Sequence, residues 1–515
     1  MPAPGPAIAA RNPPERAIPP AMWALALFFF VKAAALALFV TPLWDVPDEV
    51  AHFATISDLA SGRGVPIPGK AVVPRELVRL WNRGLAGEPV ANWVAVHPPG
   101  YHLLAVPVLW AARAATRDVE WQVRATRLLS ALCGAVGLLV FFRVMREAGA
   151  DRAGSLAGAA AVGFVPMYSH MSSGVSHDVL CGVLGGLAAL AFLRLTRSRQ
   201  TTDALLLALT LAAAGAVKAT AVPVALALLP LVPVHLEGRW PGRVARTAAL
   251  LAAALSTTWA WALWQGRLPG SAMPAPPGPA RPASVLAMLG VLRDRPILDH
   301  TFKNFFGLIG WTGTGKGEVA WLQISGPFLA VYLLLAFLVL LLAAAWVWRR
   351  DSDRSTPRSA AVAVSWGIAV STFLAVLAWF SPRPAAWPKL PVYALGLAVP
   401  CLGILRVWRR ATAPESAVFP SQFAVLVFTA VYLFYALRYS AAAGAIRGTH
   451  GRYFFIVIAF LLCGLVFPAI DRLTGGRPRD RLLLFAVLAL FANEATFFLS
   501  RVLPFYRGGA AAPLP

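Results

Sequence analysis

Charged residues are scarce in this sequence. Only 13% of its 515 residues are Asp, Glu, Lys or Arg, while 58% are hydrophobic, and a soluble domain carries about 25% charged residues. The mean hydropathy of +0.66 points the same way. A soluble fold is therefore excluded, and we expect an all-α polytopic membrane protein.

Cysteine is nearly absent. The chain has four cysteines, all in apolar segments and none in a CxxC pair: Cys133, Cys181, Cys401 and Cys463. On this basis neither disulfides nor zinc are expected.

Acidic residues are half as numerous as basic ones, 23 against 46, so the formal net charge is +23. Nucleic-acid binding is not expected, because the arginines punctuate apolar segments and do not form one surface. The pattern instead indicates topology control by short cytoplasmic basic loops. It also favours attraction to anionic lipid or phosphate.

Thirteen long apolar runs are predicted to cross the membrane. They lie near 21–41, 125–145, 154–170, 177–196, 202–217, 219–236, 245–265, 321–348, 359–380, 390–408, 418–438, 452–471 and 481–500. A further run, 99–115, is broken by Pro107. If all arginine-rich loops are cytoplasmic, this run lies along the membrane surface; if it crosses, one basic loop is on the wrong side.

This topology divides the chain into regions. We expect a disordered cytoplasmic tail, an uncleaved first span, a transmembrane module that includes a long first outer loop with juxtamembrane helices, a second outer loop with a flexible Pro-rich start, further transmembrane helices and a final tail. The predicted cytoplasmic tail is 1–20. The transmembrane module is 21–265, and the first outer loop within it is 42–124. The second outer loop is 266–320, the later helices are 321–500 and the final tail is 501–515.

The most informative stretch follows the first span. Between Trp44 and Phe53 it holds Asp45, Asp48, Glu49 and His52. Their spacing predicts one face of a helix. Carboxylates are costly beside hydrocarbon unless they pair or do chemistry. The alternative is an interfacial helix whose acids cap its N-terminus and face water.

Four other positions face the same outer side in this topology. His97 and Tyr101 belong to the sequence His-Pro-Pro-Gly-Tyr-His at the end of the first outer loop. Asp178 begins a span, and Lys218 lies in the tight turn between two apolar segments. Capping and snorkelling are the structural alternatives for Asp178 and Lys218; an unpaired lysine here can also hold a lipid phosphate.

Arg452 and Tyr453 open a later span in the sequence Thr-His-Gly-Arg-Tyr. Arg452 is a candidate phosphate clamp, or else an interfacial anchor with Tyr453. The sequence from Gly310 to Gly317 nearly spells a phosphate-binding loop, but Gly317 replaces the Ser or Thr that would hold Mg²⁺. ATP binding is therefore not expected.

The ordered set Pro-Asp-Glu-x-x-His-Phe, His-Pro-Pro-Gly-Tyr, an acid at the mouth of a later span and Gly-Arg-Tyr resembles the GT-C superfamily of membrane glycosyltransferases. That group includes protein O-mannosyltransferases and aminoarabinose lipid A transferases. The resemblance is closer to the bacterial domain of unknown function family 2142. Val50 stands where that family usually has Pro. The family's Phe-Gly-Trp motif is more loosely spaced here, because Leu308-Ile309-Gly310 separates its residues. The resemblance implies a GT-C-like bundle, here of about 13 helices.

The resemblance also implies roles. Asp48 would be the general base, and Asp178 the second acid on the donor or metal side. Lys218 and Arg452 would stabilise the departing phosphate, and Glu49 and His52 would position substrate. His97, Tyr101 and Tyr453 are further candidate binding residues. A divalent metal is left open; if present, it would lie on Asp48 and Asp178.

The expected activity is therefore transfer of a sugar from a polyprenyl-phosphate donor to an envelope glycan, lipid or protein. Site and acceptor would lie on the extracytoplasmic side of a bacterial inner membrane, with the N-terminus cytoplasmic. Two alternatives remain: a transporter or flippase for a lipid-linked sugar, and a non-catalytic assembly subunit.

Overall fold

The computed structural model describes residues 17–81, 88–266, 285–313, 319–352, 415–444, 448–473 and 476–507. The predicted spans 359–380 and 390–408, and most of both predicted tails, lie outside the described residues.

Eight described helices are long and apolar enough to cross a membrane. They are Pro20–Val40, Val119–Ala148, Asp178–Ser198, Trp240–Gln265, Gly326–Trp346, Ala417–Ala443, Gly451–Arg472 and Arg477–Tyr506. The chain is thus an all-α, multi-pass membrane protein. The total of 13 spans stays a prediction.

Three predicted spans differ in the structure. The run 154–170 is divided into Arg152–Gly163 and Pro166–Ser172. Pro166 cannot donate a helical hydrogen bond and forces Val165 into extended backbone, so the helix ends before it. The runs 202–217 and 219–236 form the shorter apolar helices Thr201–Gly215 and Ala221–His235.

The segment predicted to be the first outer loop, 42–124, is mainly helical where the structure describes it. We label its helices α2 (Glu49–Ala60), α3 (Arg75–Trp81) and α4 (Gly100–Ala115), following α1 (Pro20–Ala35). Its remaining elements are a two-residue antiparallel ladder between β1 (Val72–Val73) and β2 (Val90–Ala91) and a 3-10 turn at Trp93–Val96. α4 packs along α2 and contains Pro107. Its place on the membrane surface stays a prediction.

The central helix is α5, Val119–Ala148, which packs against α1 and α4. It is followed by α6 (Arg152–Gly163), α7 (Pro166–Ser172) and α8 (Asp178–Ser198), and both α6 and α8 lie against it. The later helices before the second outer loop are Thr201–Gly215, Ala221–Leu228, Val232–His235 and Trp240–Gly266.

The segment predicted to be the second outer loop leads into a hairpin that the sequence did not indicate. After helices Val285–Asp294 and Ile297–Phe306, the antiparallel strands are β3 (Leu308–Gly313) and β4 (Val319–Gln323). β3 includes residues 310–313 of the sequence that nearly spells a phosphate-binding loop. Residues 314–317 of that sequence lie outside the described part of the chain. β3 contains two glycines and β4 has only five residues, so neither carries enough alternation to be recognised as a strand.

The C-terminal part contributes the helix Glu415–Ala443, the Gly451–Arg472 span, and the helix Arg477–Phe497, which continues through a π-turn to Tyr506. The Gly451–Arg472 span begins as a 3-10 helix over Gly451–Val457. Small residues let α8 approach it closely: a Cβ on Gly185 would lie 1.9 Å from the Ile456 carbonyl oxygen. This close packing brings the N-terminal end of α8 beside Arg452.

Candidate functional site

Asp48 lies at the start of α2, in the left-handed region with φ +66°. This conformation is uncommon for a residue other than Gly, although Asp and Asn tolerate it best. The predicted helical face from Asp45 to His52 is therefore wrong. The helix begins only at Glu49, and the turn before it directs the three acids to different partners.

Asp48 is held by two donors. The indole Nε1–H of Trp93 donates to its Oδ1 at 2.8 Å, and Arg452 donates to its Oδ2 at 2.5 Å. The Asp48 side chain keeps 22% of its surface exposed, whereas Arg452 keeps 3%. Asp48 is thus the accessible member of this pair.

Arg452 also approaches a second acid. Its Nε lies 3.2 Å from Oδ2 of Asp178, without the alignment of a hydrogen bond. Lys218 donates to the other oxygen of Asp178 at 2.5 Å and lies 4.2 Å from the centre of the Tyr453 ring. Asp48, Arg452, Asp178 and Lys218 therefore form one continuous ionic cluster.

Of the two alternatives for Lys218, the one in which it is unpaired is wrong. Lys218 lies in the expected turn, between the helices Thr201–Gly215 and Ala221–Leu228, but it is ion-paired with Asp178. A cation this buried requires a partner. Asp178 starts α8 as predicted.

The Asp48 carboxylate is strongly biased toward its charged form. Burial raises its pKa, but the nearby Arg452 charge, neighbouring histidines and the Trp93 hydrogen bond outweigh this effect. The pKa of Asp48 therefore lies well below its usual range, because hydrogen bonds and cations favour the carboxylate. Asp48 is ionised at neutral pH.

A divalent metal does not fit on Asp48 and Asp178. The guanidinium of Arg452 lies between them, and Lys218 occupies the remaining oxygen of Asp178. Two cations already neutralise the two carboxylates, so no negative charge is left there to stabilise a further divalent ion.

Glu49 faces away from this cluster, toward Arg127. Two parallel bonds of 2.8 Å join the carboxylate to the guanidinium, and both side chains are completely buried. Glu49 also accepts from the backbone N–H groups of Trp44 and Val175. Arg127 uses its other donors on the Ala37, Thr41 and Pro42 carbonyl oxygens. This pair fixes the turn that carries Asp48.

Asp45 lies in a third environment. Its Oδ2 accepts from the Tyr506 hydroxyl at 2.6 Å and lies 4.0 Å from Nε2 of His170. It is fully buried. Asp45 therefore ties the first outer loop to the last described helix.

Four histidines form a cluster beside Asp178. His52 Nδ1 and His102 Nε2 are 2.9 Å apart. The His52 and His177 rings meet edge to face, with centroids 4.5 Å apart, and the centroid of His97 lies 4.8 Å from that of His177. These side chains come from α2, α4 and the turns before α4 and α8.

The histidines outside the membrane spans are held in the neutral form. Burial lowers the pKa of His97 to about 4, helped by the charge of Lys218, and burial lowers that of His102 to about 3. Burial likewise lowers the pKa of His52 and His177 well below the usual range. Neutral imidazoles offer one lone pair each.

Tyr101 makes its contacts through its hydroxyl, and Tyr453 through its ring. The Tyr101 hydroxyl lies 2.8 Å from Ser130 Oγ and accepts from the Ser176 backbone N–H, so it anchors the turn that carries His177. Tyr453 instead places its ring under the Lys218 ammonium. This is a cation–π contact.

Sequence reasoning did not single out several residues that build this region. Trp93, Arg127, His102 and His177 hold Asp48, Glu49 and His52 in place. One signal was available for Arg127, since an arginine within a predicted membrane span requires a partner. Trp93 lies in a loop and carries no such signal.

Comparison with known proteins identifies the family but not the activity. A family model described as a predicted membrane protein, DUF2142, matches residues 92–381. This is more than half of the chain and contains His97, Tyr101, Asp178 and Lys218, whereas Asp48 and Arg452 lie outside it. No curated protein matches the chain.

Three solved membrane glycosyltransferases show a distant likeness, each 15% identical. The S. cerevisiae protein O-mannosyltransferase complex bound to its sugar donor matches over 55% of this chain and 36% of its own, with a TM-score of 0.35. ArnT from Cupriavidus metallidurans, bound to undecaprenyl phosphate, matches over 88% and 77%, with a TM-score of 0.34. The arabinosyltransferase EmbB from Mycobacterium smegmatis matches over 96% and 43%, also at 0.34.

This chain therefore spans only about a third of the length of the yeast enzyme and less than half of the mycobacterial one. At such TM-scores the likeness does not extend to side chains, so the site is described by its own residues. The predicted membership of family 2142 is confirmed by the match over 92–381. The chain belongs to the DUF2142 family of predicted membrane proteins.

Proposed function

We propose that this protein is a membrane glycosyltransferase that moves a sugar from a polyprenyl-phosphate donor to a cell-envelope acceptor. The observation that carries this proposal is the ionic cluster of Asp48, Arg452, Asp178 and Lys218. It combines one accessible carboxylate with two cations near the ends of apolar helices. The polyprenyl-phosphate class of donor comes from the motif resemblance.

Arg452 and Lys218 are suited to a lipid phosphate. Both are almost entirely buried, both are held by carboxylates, and their charges lie beside the same Tyr453 ring. An anionic donor entering here would exchange carboxylate contacts for phosphate contacts without leaving a cation unpaired. The cluster is thus charge-balanced before binding and able to accept an anion.

Asp48 is suited to accept a proton once the phosphate is bound. The Arg452 charge lowers the pKa of Asp48 and makes it a weak base. A donor phosphate that draws Arg452 away removes this effect, while burial continues to raise the pKa. Donor binding would therefore increase the basicity of Asp48 when a base is required.

The reaction balances with these groups alone. An acceptor hydroxyl oxygen attacks C1 of the sugar, and the bond between C1 and the phosphate oxygen breaks with its electron pair on the lipid phosphate. The hydroxyl proton passes to Asp48. Attack opposite to the leaving group inverts the anomeric centre. Arg452 and Lys218 stabilise the charge that develops on the phosphate.

The other site residues hold these groups in place or contact substrate. Glu49 positions Asp48 through the Arg127 pair, and Tyr101 positions the turn before α8. His52 and His97 lie beside the cluster and face the acceptor or sugar hydroxyls. We place the site on the extracytoplasmic face of a bacterial inner membrane, with the N-terminus in the cytoplasm.

The test is transfer of label. Purified full-length protein in lipid nanodiscs is incubated with a panel of sugar-labelled polyprenyl phosphates and envelope extracts, and label is followed into the acceptor or, with water, into free sugar. Covalent transfer supports the proposal. Flipping of labelled lipid in proteoliposomes without transfer would favour a transporter, and neither activity would favour an assembly subunit.

A further inference from the structure

Three histidines lie close together next to the ionic cluster. One ring nitrogen each of His52, His102 and His177 lies within 4.8 Å of the other two. All three side chains are at most 2% exposed. They come from three separate parts of the chain: α2, α4 and the turn before α8.

Their hydrogen bonding is incomplete. His52 and His102 contact each other at 2.9 Å, but Nδ1 of His102 and both ring nitrogens of His177 have no hydrogen-bond partner among the described residues. Leaving a buried polar group without a partner is energetically costly. Each ring offers one nitrogen lone pair, so the three rings together suit a single partner that bonds to one nitrogen of each.

We propose that His52, His102 and His177 bind a divalent transition-metal ion of the zinc class. Three neutral imidazoles and an open fourth position are a known zinc ligand set. The cysteines are not expected to bind zinc, and these histidines supply a different ligand set. The site is distinct from Asp48 and Asp178, where cations already lie between the carboxylates.

The geometry is close to what such an ion requires. With metal–nitrogen bonds of about 2.0–2.1 Å, tetrahedral ligand nitrogens are roughly 3.3 Å apart. The His52 and His102 nitrogens would separate slightly, and the His177 ring would shift inward by roughly 1.5 Å at most. Changes of this size lie within side-chain rotation.

An outer partner is also present. Oδ1 of Asp178 lies 3.6 Å from Nε2 of His177. A carboxylate at this position can accept from the second ring nitrogen and orient the imidazole when the first binds a metal. The ion would therefore link the histidine cluster to the ionic cluster through Asp178, and its open position is available to a hydroxyl or phosphate oxygen.

The first measurement needs no variant. Full-length protein without a polyhistidine tag is stripped with chelator in nanodiscs and titrated with Co²⁺, followed by its visible absorption. The proposal predicts one equivalent of Co²⁺ with the intense bands of a tetrahedral nitrogen site, displaced by one equivalent of Zn²⁺. A weak octahedral spectrum, or no saturable binding, would overturn it.

The second measurement compares variants by Zn²⁺ equilibrium dialysis. His102→Gln and His177→Gln should lose more affinity than the roughly 10- to 100-fold that an outer-shell partner provides. His170→Gln is the matched control, since His170 is equally buried, also has two ring nitrogens without partners and lies outside the cluster. Equal Zn²⁺ binding by His102→Gln, His177→Gln and wild type would show adventitious binding and overturn the proposal.

This inference adds to the proposed function and does not depend on it. Both readouts are metal content and spectrum, so they are unaffected if no sugar transfer is found. Transfer without stoichiometric metal would contradict this inference alone.

Discussion

Nη2 of Arg452 lies 2.5 Å from Oδ2 of Asp48, although 404 residues separate the two along the chain. The same guanidinium reaches Asp178 and the Pro47 carbonyl oxygen. One side chain thus joins the first outer loop, the mouth of α8 and a C-terminal span. The site forms only when the two ends of the protein pack together.

Arg452→Lys should weaken donor use more than it changes the fold. Lysine keeps the charge but loses the planar fork that contacts two acids at once. We expect KM for the polyprenyl-phosphate donor to rise and kcat to fall, together about 10²-fold or more in kcat/KM.

Arg479→Lys is the matched control, because Arg479 makes a bidentate pair with Asp151 on an exposed surface. Equal losses in the two variants would contradict a phosphate-binding role for Arg452.

The Glu49–Arg127 pair should contribute stability and not chemistry. Removing one partner leaves a buried charge alone, which costs about 3–5 kcal/mol. Glu49→Gln and Arg127→Gln should each lower Tm in nanodiscs strongly, and the double variant should lose less than the sum of both.

The exposed pair of Arg75 and Glu88 provides the comparison; breaking it should cost about 0–1 kcal/mol. A Glu49→Gln variant with wild-type Tm would show that the pair does not hold the Asp48 turn.

Gly185 should be required for the approach of α8 to Arg452. In Gly185→Ala the new methyl group would meet the Ile456 carbonyl oxygen at 1.9 Å, so backbone must move. Overpacking of this kind costs about 1–3 kcal/mol, and separation of Asp178 from Arg452 should also reduce transfer.

Gly182→Ala is one helical turn away on the same helix. Its methyl group would meet the Phe455 carbonyl oxygen at an ordinary 3.5 Å, and near wild-type Tm and transfer are expected. Indistinguishable variants would mean that close helix contact does not build the site.

Acid should destabilise the protein before its ordinary carboxylates titrate. Burial, together with the Arg452 charge, lowers the pKa of His450 from 6.5 to about 3. Above pH 6.5 neither folded nor unfolded protein binds this proton. Between pH 6.5 and 3 the unfolded chain binds it and the folded chain does not, so stability falls as pH falls.

Tm measured from pH 8 to pH 4 should therefore decrease, and less steeply in His450→Gln. Parallel curves for the variant and wild type would place His450 in a more solvated environment.

The sequence predicted the class of this protein and part of its site. Hydropathy and basic loops indicated a multi-pass helical protein, and placed Asp48, Asp178, Lys218 and Arg452 on one side; the structure brings these four together. The pairing itself could not be predicted. The left-handed turn at Asp48 decides which of the three acids contacts Arg452. A helical period does not indicate this turn and places all three acids on one face.

Other features depend on contacts between distant segments. Glu49 and Arg127 are 78 residues apart, and His52 and His102 are 50 apart. No local spacing indicates such pairs. The division of 154–170 into α6 and α7 was in principle readable from Pro166, but the apolar run on both sides outweighed it.

The most direct test of the account compares Asp48→Asn with wild type in transfer of label from polyprenyl-phosphate sugar. Asparagine tolerates the left-handed backbone and can still accept from Trp93, so the fold should persist while the base is lost. Asp45→Asn, in the same turn but bonded to Tyr506, is the control. We predict a loss of about 10²–10⁴-fold for Asp48→Asn and none of this size for Asp45→Asn. Undiminished transfer by a folded Asp48→Asn protein would contradict the account.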